Sequence, residues 1–138
     1  MSFVGNFINR LFSRRSQPVH LRRGELGEQA AKRHLKKAGL KFLTANFKDR
    51  HGEIDLIFRD QDSLIFVEVK TRSSEDWTRP ADAVDRDKQR RLARTAETYL
   101  AKINYPDITW RFDIVEVLLR DDRVTEIRHL PDEFSAPE

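Results

Sequence analysis

Gly52-Glu53-Ile54-Asp55-Leu56-Ile57 and, thirteen residues beyond Asp55, the run Phe66-Val67-Glu68-Val69-Lys70 set acids and a lysine inside otherwise apolar β-patterns. Residues two apart share a strand face, so Glu68 and Lys70 point together. Asp60-Gln61-Asp62-Ser63 are turn formers between the two runs, which predicts a hairpin. With those four as its loop, Arg59 faces Leu64, Asp55 faces Glu68 and Glu53 faces Lys70. A slip of one residue would send Asp55 to the other side. This register gathers Glu53, Asp55, Glu68 and Lys70 into one patch, flanked by Ile57, Leu64 and Phe66. Two carboxylates that close repel unless a cation sits between them, and such oxygen ligands suit magnesium or manganese. A lysine beside them can position or polarise a water. Alternating Glu and Lys also describes a solvated sheet face with cross-strand ion pairs. Three large apolar groups on the same face favour a half-buried cleft instead.

The elements that would position this patch follow from periodicity and punctuation. Phe3, Phe7, Ile8, Leu11 and Phe12 have helical spacing, and Ser13 to Pro18 reads as a linker. A first full helix is predicted from about Arg23 to Ala38, stopped by Gly39, with Gly27, Ala30, Ala31, Leu35 and Ala38 on its apolar arc. Strands follow at about 40–47, 53–59 and 64–71, then a loop from Ser73 to Pro80. A second helix covers roughly Asp82 to Ile103, with Leu92, Ala96, Tyr99, Leu100 and Ile103 on one side. A closing hairpin, 109–119 with 123–130, turns at Asp121-Asp122. The order is α-β-β-β-α-β-β, an α+β chain without internal repeats.

At 138 residues the chain has the length of one domain with a single core. No apolar stretch is long enough to span a bilayer. The absence of cysteine excludes disulfides, thiol catalysis and thiolate metal sites, and fits a cytoplasmic location. His20, His34, His51 and His129 lack ligand-like spacing, which argues against zinc. The net charge of +3 conceals uneven blocks. Arg10, Arg14, Arg15, Arg22 and Arg23 open the chain without an acid. Lys32, Arg33, Lys36, Lys37 and Lys41 form a second block. Arg86, Lys88, Arg90, Arg91 and Arg94 form a third, against Asp87 alone. From Leu119 onward six acids face three arginines. One basic block is commonly a solvated helix face; three imply a polyanionic partner, of which nucleic acid is the commonest.

Each helix adds a candidate. Glu28 lies about 20° around the predicted first helix from Leu35, at the border of the apolar arc. It either pairs with Lys32 at i,i+4 or, if the helix packs over the sheet, reaches the acidic patch. Lys88 begins the inward row of the second helix, where a snorkelling lysine is the ordinary alternative.

Taken together, Gly27-Glu28, Gly52-Glu53-Ile54-Asp55, Val67-Glu68-Val69-Lys70-Thr71-Arg72, Lys88 through Arg91-Leu92, and Arg111-Phe112-Asp113 resemble the YraN-like family of the PD-(D/E)XK nuclease superfamily, close to archaeal Holliday-junction resolvases. The resemblance runs from about Gly24 to Leu130. It implies a restriction-endonuclease-like α-β-β-β-α-β core, a central mixed sheet flanked by helices, with an extra C-terminal strand. It also implies that Asp55 and Glu68 are metal ligands, Glu28 an accessory ligand, and Lys70 the group that activates the attacking water. Ile54 stands where the superfamily's naming proline would be. The arginine-rich start is not part of the pattern.

The expected organisation is therefore a basic arm over residues 1–22, a nuclease-like domain over 23–131 and an acidic tail over 132–138. The expected activity is magnesium- or manganese-dependent hydrolysis of DNA phosphodiesters in branched, damaged or single-stranded substrates. Asp55, Glu68 and Lys70 carry it, Glu53 and Lys88 are accessory, and Arg72, Lys88, Arg90 and Arg91 hold backbone phosphates without reading sequence. A homodimer is expected only by analogy with junction resolvases. The alternative is a non-catalytic nucleic-acid-binding module on the same fold.

Overall fold

A computed structural model describes residues 18–73, 85–105 and 107–135. The expected Phe3–Phe12 helix, most of the loop after Ser73 and the start of the predicted second helix lie outside these residues. The described chain runs α1 (Val19–Lys37), β1 (Lys41–Lys48), β2 (Glu53–Asp60), β3 (Ser63–Ser73), α2 (Arg86–Lys102), β4 (Thr109–Arg120) and β5 (Arg123–Ser135). The five strands form one sheet in sequence order. All neighbours are antiparallel except β3 and β4, which run parallel and are joined across α2. This is the expected α+β architecture, consistent with a restriction-endonuclease-like core.

Alternation along the strands gives the sheet two apolar faces, and each receives one helix. Ala30, Ala31 and Leu35 of α1 pack on Leu56, Phe58, Ile65, Val67, Val115 and Val117. Leu92, Ala96, Tyr99 and Leu100 of α2 pack on Ile54, Ile57, Leu64, Phe66, Phe112 and Ile114. Phe66 sits at the centre of the second layer, with edge-on contacts to Tyr99 and Trp110.

The element ends are set by local chemistry. Helix α1 starts at Val19, four residues before the expected start. Pro18, at φ −54°, is the N-cap, and its carbonyl accepts the N–H groups of Leu21 and Arg22. Gly39, at φ +98°, closes the helix: its N–H bonds to the Lys36 carbonyl and that of Leu40 to the Leu35 carbonyl. Helix α2 is capped by Asp85, whose carboxylate accepts the Lys88 N–H at 2.8 Å, so the helix begins at Arg86. The β4–β5 turn falls at Asp121-Asp122 as expected, both residues at positive φ as a tight primed hairpin turn demands. Strand β5 continues to Ser135, past the expected end at Leu130. No helix among the described residues is long and apolar enough to cross a membrane.

Candidate active site

The β2–β3 hairpin has the expected parity with a tighter loop. Asp60 pairs with Ser63, leaving only Gln61 and Asp62 in the turn, and Arg59 faces Leu64. The paired ladder ends at Leu56–Val67, so Asp55–Glu68 and Glu53–Lys70 are not ladder pairs as the sequence register implied. The strands part here because β2 loses strict alternation: Ile54 and Ile57 both enter the layer under α2, while Leu56 enters the layer under α1. In the opening, the Asp55 carboxylate replaces a backbone carbonyl and accepts the Val69 N–H at 2.8 Å. Burial pushes the Asp55 carboxyl up to about 7, and the charges of Glu28, Glu68 and Glu53 push the same way against the Val69 hydrogen bond.

Glu68 and Lys70 share the face of β3 under α2, as two-residue spacing requires. Lys88, from the first turn of α2, donates to Oε1 of Glu68, while Oε2 is buried without a hydrogen-bond partner. A residue read as snorkelling or accessory thus touches the acidic patch directly. Glu53 pairs instead with Lys48 across β1, at 3.7 Å, on an exposed edge.

Helix α1 brings Glu28 to the other side of the opening. At Gly27 an added Cβ would lie 2.0 Å from Oγ1 of Thr71, so only glycine allows the helix this close to β3. Its neighbour Glu28 is half-buried; burial raises its carboxyl above the usual range, Glu53 adds to the effect, and a hydrogen bond from Asn46 opposes it. Gly27→Ala should destabilise the protein by about 1–3 kcal/mol through overpacking, despite alanine's better helix propensity. Adding Thr71→Ala should restore part of the loss in urea melts; no recovery would show that the contact is not the cause.

Asp49 fixes how β2 enters the site. It accepts the N–H groups of His51 and Gly52 and the hydroxyls of Thr95 and Thr98, tying the β1–β2 turn to α2. Burial opposes ionisation, but these four donors win and hold the carboxyl down at about 2.

The donor set is oxygen only, with a buried Glu68 oxygen lacking a partner, which is the chemistry that magnesium or manganese requires. Among the described residues no three acids or histidines converge at ligating distance, and Lys88 is the cation that Glu68 meets. Asp55, Glu68 and Glu28 are nonetheless the groups whose mutual repulsion a cation would relieve.

Of the residues expected at the site, Asp55, Glu68, Glu28 and Lys88 gather around the β2–β3 opening, and Lys70 follows Glu68 on the same face of β3. Arg72 stands on the same β3 face, with its Nε 3.7 Å from Glu116. Arg91 and Arg90 lie on exposed turns of α2, and Arg90 pairs with Asp87 at 3.3 Å. Glu116 itself was missed. It lies on β4 in register with Lys70, and its signal was a second Val-Glu-Val, Val115-Glu116-Val117, matching Val67-Glu68-Val69 on the parallel neighbour. Also missed was fully buried Asp113, whose carboxylate accepts from Arg111 at 2.9 Å and from the Asp132 N–H, and contacts His129 at 2.7 Å.

Comparison with known proteins agrees on kinship. A family model described as the uncharacterised protein family UPF0102 matches residues 27–117, the span that holds all of these side chains except His129 and Asp132. The UPF0102 protein of Symbiobacterium thermophilum is 44% identical over 113 residues, covering 82% of this chain and 96% of its own. That of Caldanaerobacter subterraneus subsp. tengcongensis is 41% identical over 113 residues, covering 80% and 93%. That of Chlorobaculum tepidum is 41% identical over 116 residues, covering 80% and 90%. The chain belongs to the UPF0102 (YraN) family.

Proposed function

We propose that this protein is a divalent-metal-dependent nuclease that hydrolyses DNA phosphodiesters at the β2–β3 opening. The observation that carries the reading is the Asp55 carboxylate, half-buried in the β2–β3 opening, where it accepts the Val69 N–H at 2.8 Å and feels the charges of Glu28 and Glu68. A magnesium or manganese ion held by Asp55 and Glu68, with Glu28 beside them, would supply the Lewis acidity for this reaction. Lys70 donates hydrogen bonds, orienting the attacking water or meeting charge on the phosphoryl oxygens. Arg72 and the basic turns of α2 hold flanking phosphates. Magnesium and manganese assays on linear, flapped, four-way and single-stranded DNA test the reading. Cleavage should vanish with Glu68→Ala or Lys70→Ala and fall less with Glu28→Ala. Equal cleavage by wild type and the Lys70→Ala variant would mark a contaminating nuclease and end the proposal.

The Lys88–Glu68 pair favours a second reading, a binding module that keeps the charges but does not cut. Either reading expects DNA affinity to fall steeply with salt, as side-chain cations displace condensed counterions. Arg90→Glu with Arg91→Glu should lower the log-log slope by about two and weaken binding to all sequences alike, measured by fluorescence anisotropy. A salt-independent affinity would sink both readings.

A further inference from the structure

Glu116 is 2% exposed, and its Oε1 is buried with no hydrogen-bond partner. Its Oε2 lies 3.7 Å from Arg72 Nε. On β4 it occupies the layer of Phe112 and Ile114, the face under α2 that Glu68 and Lys70 also share. In-register neighbours on one face stand side by side, and those of Glu116 are Lys70 on β3 and Arg128 on β5. A buried carboxylate is costly unless it has work to do on the charges around it. Here one acid has Arg72 at 3.7 Å and Lys70 and Arg128 as register neighbours, and Lys70 and Arg72 share one face of β3.

The geometry points to Glu116 as a positioning residue that holds the Lys70 ammonium and the Arg72 guanidinium in place beside the acidic patch. This rests on reading the patch as a phosphodiester-cleaving centre, and it assigns the β4 strand a share in that centre. Without the carboxylate, two cations two residues apart on one strand face repel and swing toward solvent. With it, both are held before substrate arrives, so their hydrogen bonds need no reorganisation in the transition state. Arg72 then has its guanidinium edge fixed for a phosphate, and Lys70 is left for the reacting group while Lys88 meets Glu68.

The test separates this role from the activity it serves. Full-length wild type, Glu116→Gln and Glu116→Asp are briefly methylated with formaldehyde and a borane reductant, and lysine labelling is read by peptide mass mapping. An amine released from its partner is more accessible, so Lys70 should label several-fold faster in Glu116→Gln and to an intermediate degree in Glu116→Asp. Lys88, tied to Glu68, and Lys36 and Lys37 on α1 should keep their wild-type rates. With DNA and manganese, kcat should fall about tenfold or more while KM changes little, and Glu116→Asp should recover part of the loss. Wild-type Lys70 labelling in a folded Glu116→Gln protein would overturn the proposal, whatever the kinetics. Should Glu116→Gln not fold, Glu116→Asp decides by the same comparison. A wild type that does not cleave would end the nuclease reading and leave the labelling result to decide the role of Glu116.

Discussion

Asp55→Asn is expected to give a protein that no longer cleaves DNA yet, free of metal, melts higher than wild type. Loss of a ligand carboxylate removes activity by about a thousandfold or more, on the scale of other essential catalytic groups. The gain in stability has a separate cause. Burial holds the Asp55 carboxyl at about 7 in the folded state, well above its ordinary value of 3.8. Ionisation therefore favours the unfolded chain, and wild type loses stability as pH rises from about 4 to about 7. Asparagine keeps the shape and can still accept the Val69 N–H, but it carries no charge for Glu28 and Glu68 to repel. In chelator, the two proteins should melt within a degree or two at about pH 4 or below. At about pH 8 the variant should melt several degrees higher. Manganese should raise the melting temperature of wild type only, since a ligand stabilises the state that binds it. Equal manganese responses would remove Asp55 from the ligand set.

Asp113→Ala is expected to cost about 2–4 kcal/mol, because it removes a fully buried carboxylate that Arg111, His129 and a backbone N–H all bond. Asp113 is fully buried where the β4–β5 register shifts between Phe112 and Ile114. Burial alone would raise its carboxyl, but His129, Arg111 and the Asp132 N–H together hold it below the ordinary range. Its stabilisation is thus present above about pH 4 and lost as pH falls below that, the usual direction for a paired acid. The same cluster seats the last turn of β5, where Phe134 stacks on Phe112 at 4.5 Å. Asp113→Asn should fall between wild type and alanine, since it keeps part of the hydrogen bonding. Urea denaturation at neutral pH measures both, and a loss below about 1 kcal/mol would mean that Arg111 and His129 find other partners.

Much of this architecture was legible because apolar parity is strict where both sheet faces are covered. A one-residue slip of β2 against β3 would have moved Ile57 to the opposite layer and parted it from Phe66, so the sequence favours one register near Arg59–Leu64. The resemblance and the same parity together singled out Asp55, Glu68 and Lys70 as candidates, although Asp55 and Glu68 are not ladder partners. Parity could not tell where β2 and β3 part, since that depends on a break in alternation at Ile54–Ile57 and on a side chain standing in for backbone. Glu28 was placed only conditionally because its reach depends on Gly27 meeting Thr71, a contact between distant segments. Lys88 was expected to be accessory or phosphate-binding, and its contact with Glu68 was not foreseen because helix periodicity says nothing about what stands opposite. Asp113 was noted only within the resemblance and Glu116 not at all, because partners such as Arg72, His129 and the Asp132 N–H come from other strands, and one-dimensional spacing does not record them.

The one parallel ladder of the sheet also bears on how the molecule comes together in time. Strands β1 to β3 form a meander of short connections, and β4 and β5 a hairpin, so each can assemble locally. The β3–β4 pairs, from Ser63 with Thr109 to Ser73 with Leu119, close a loop that holds all of α2. Loop-closure entropy makes that joining the expected slow event in folding. It is also the event that sets Glu116 beside Lys70. A nascent chain therefore carries Asp55, Glu68 and Lys70 on one unit before their β4 neighbour arrives, and the full charge constellation exists only once the two halves have docked.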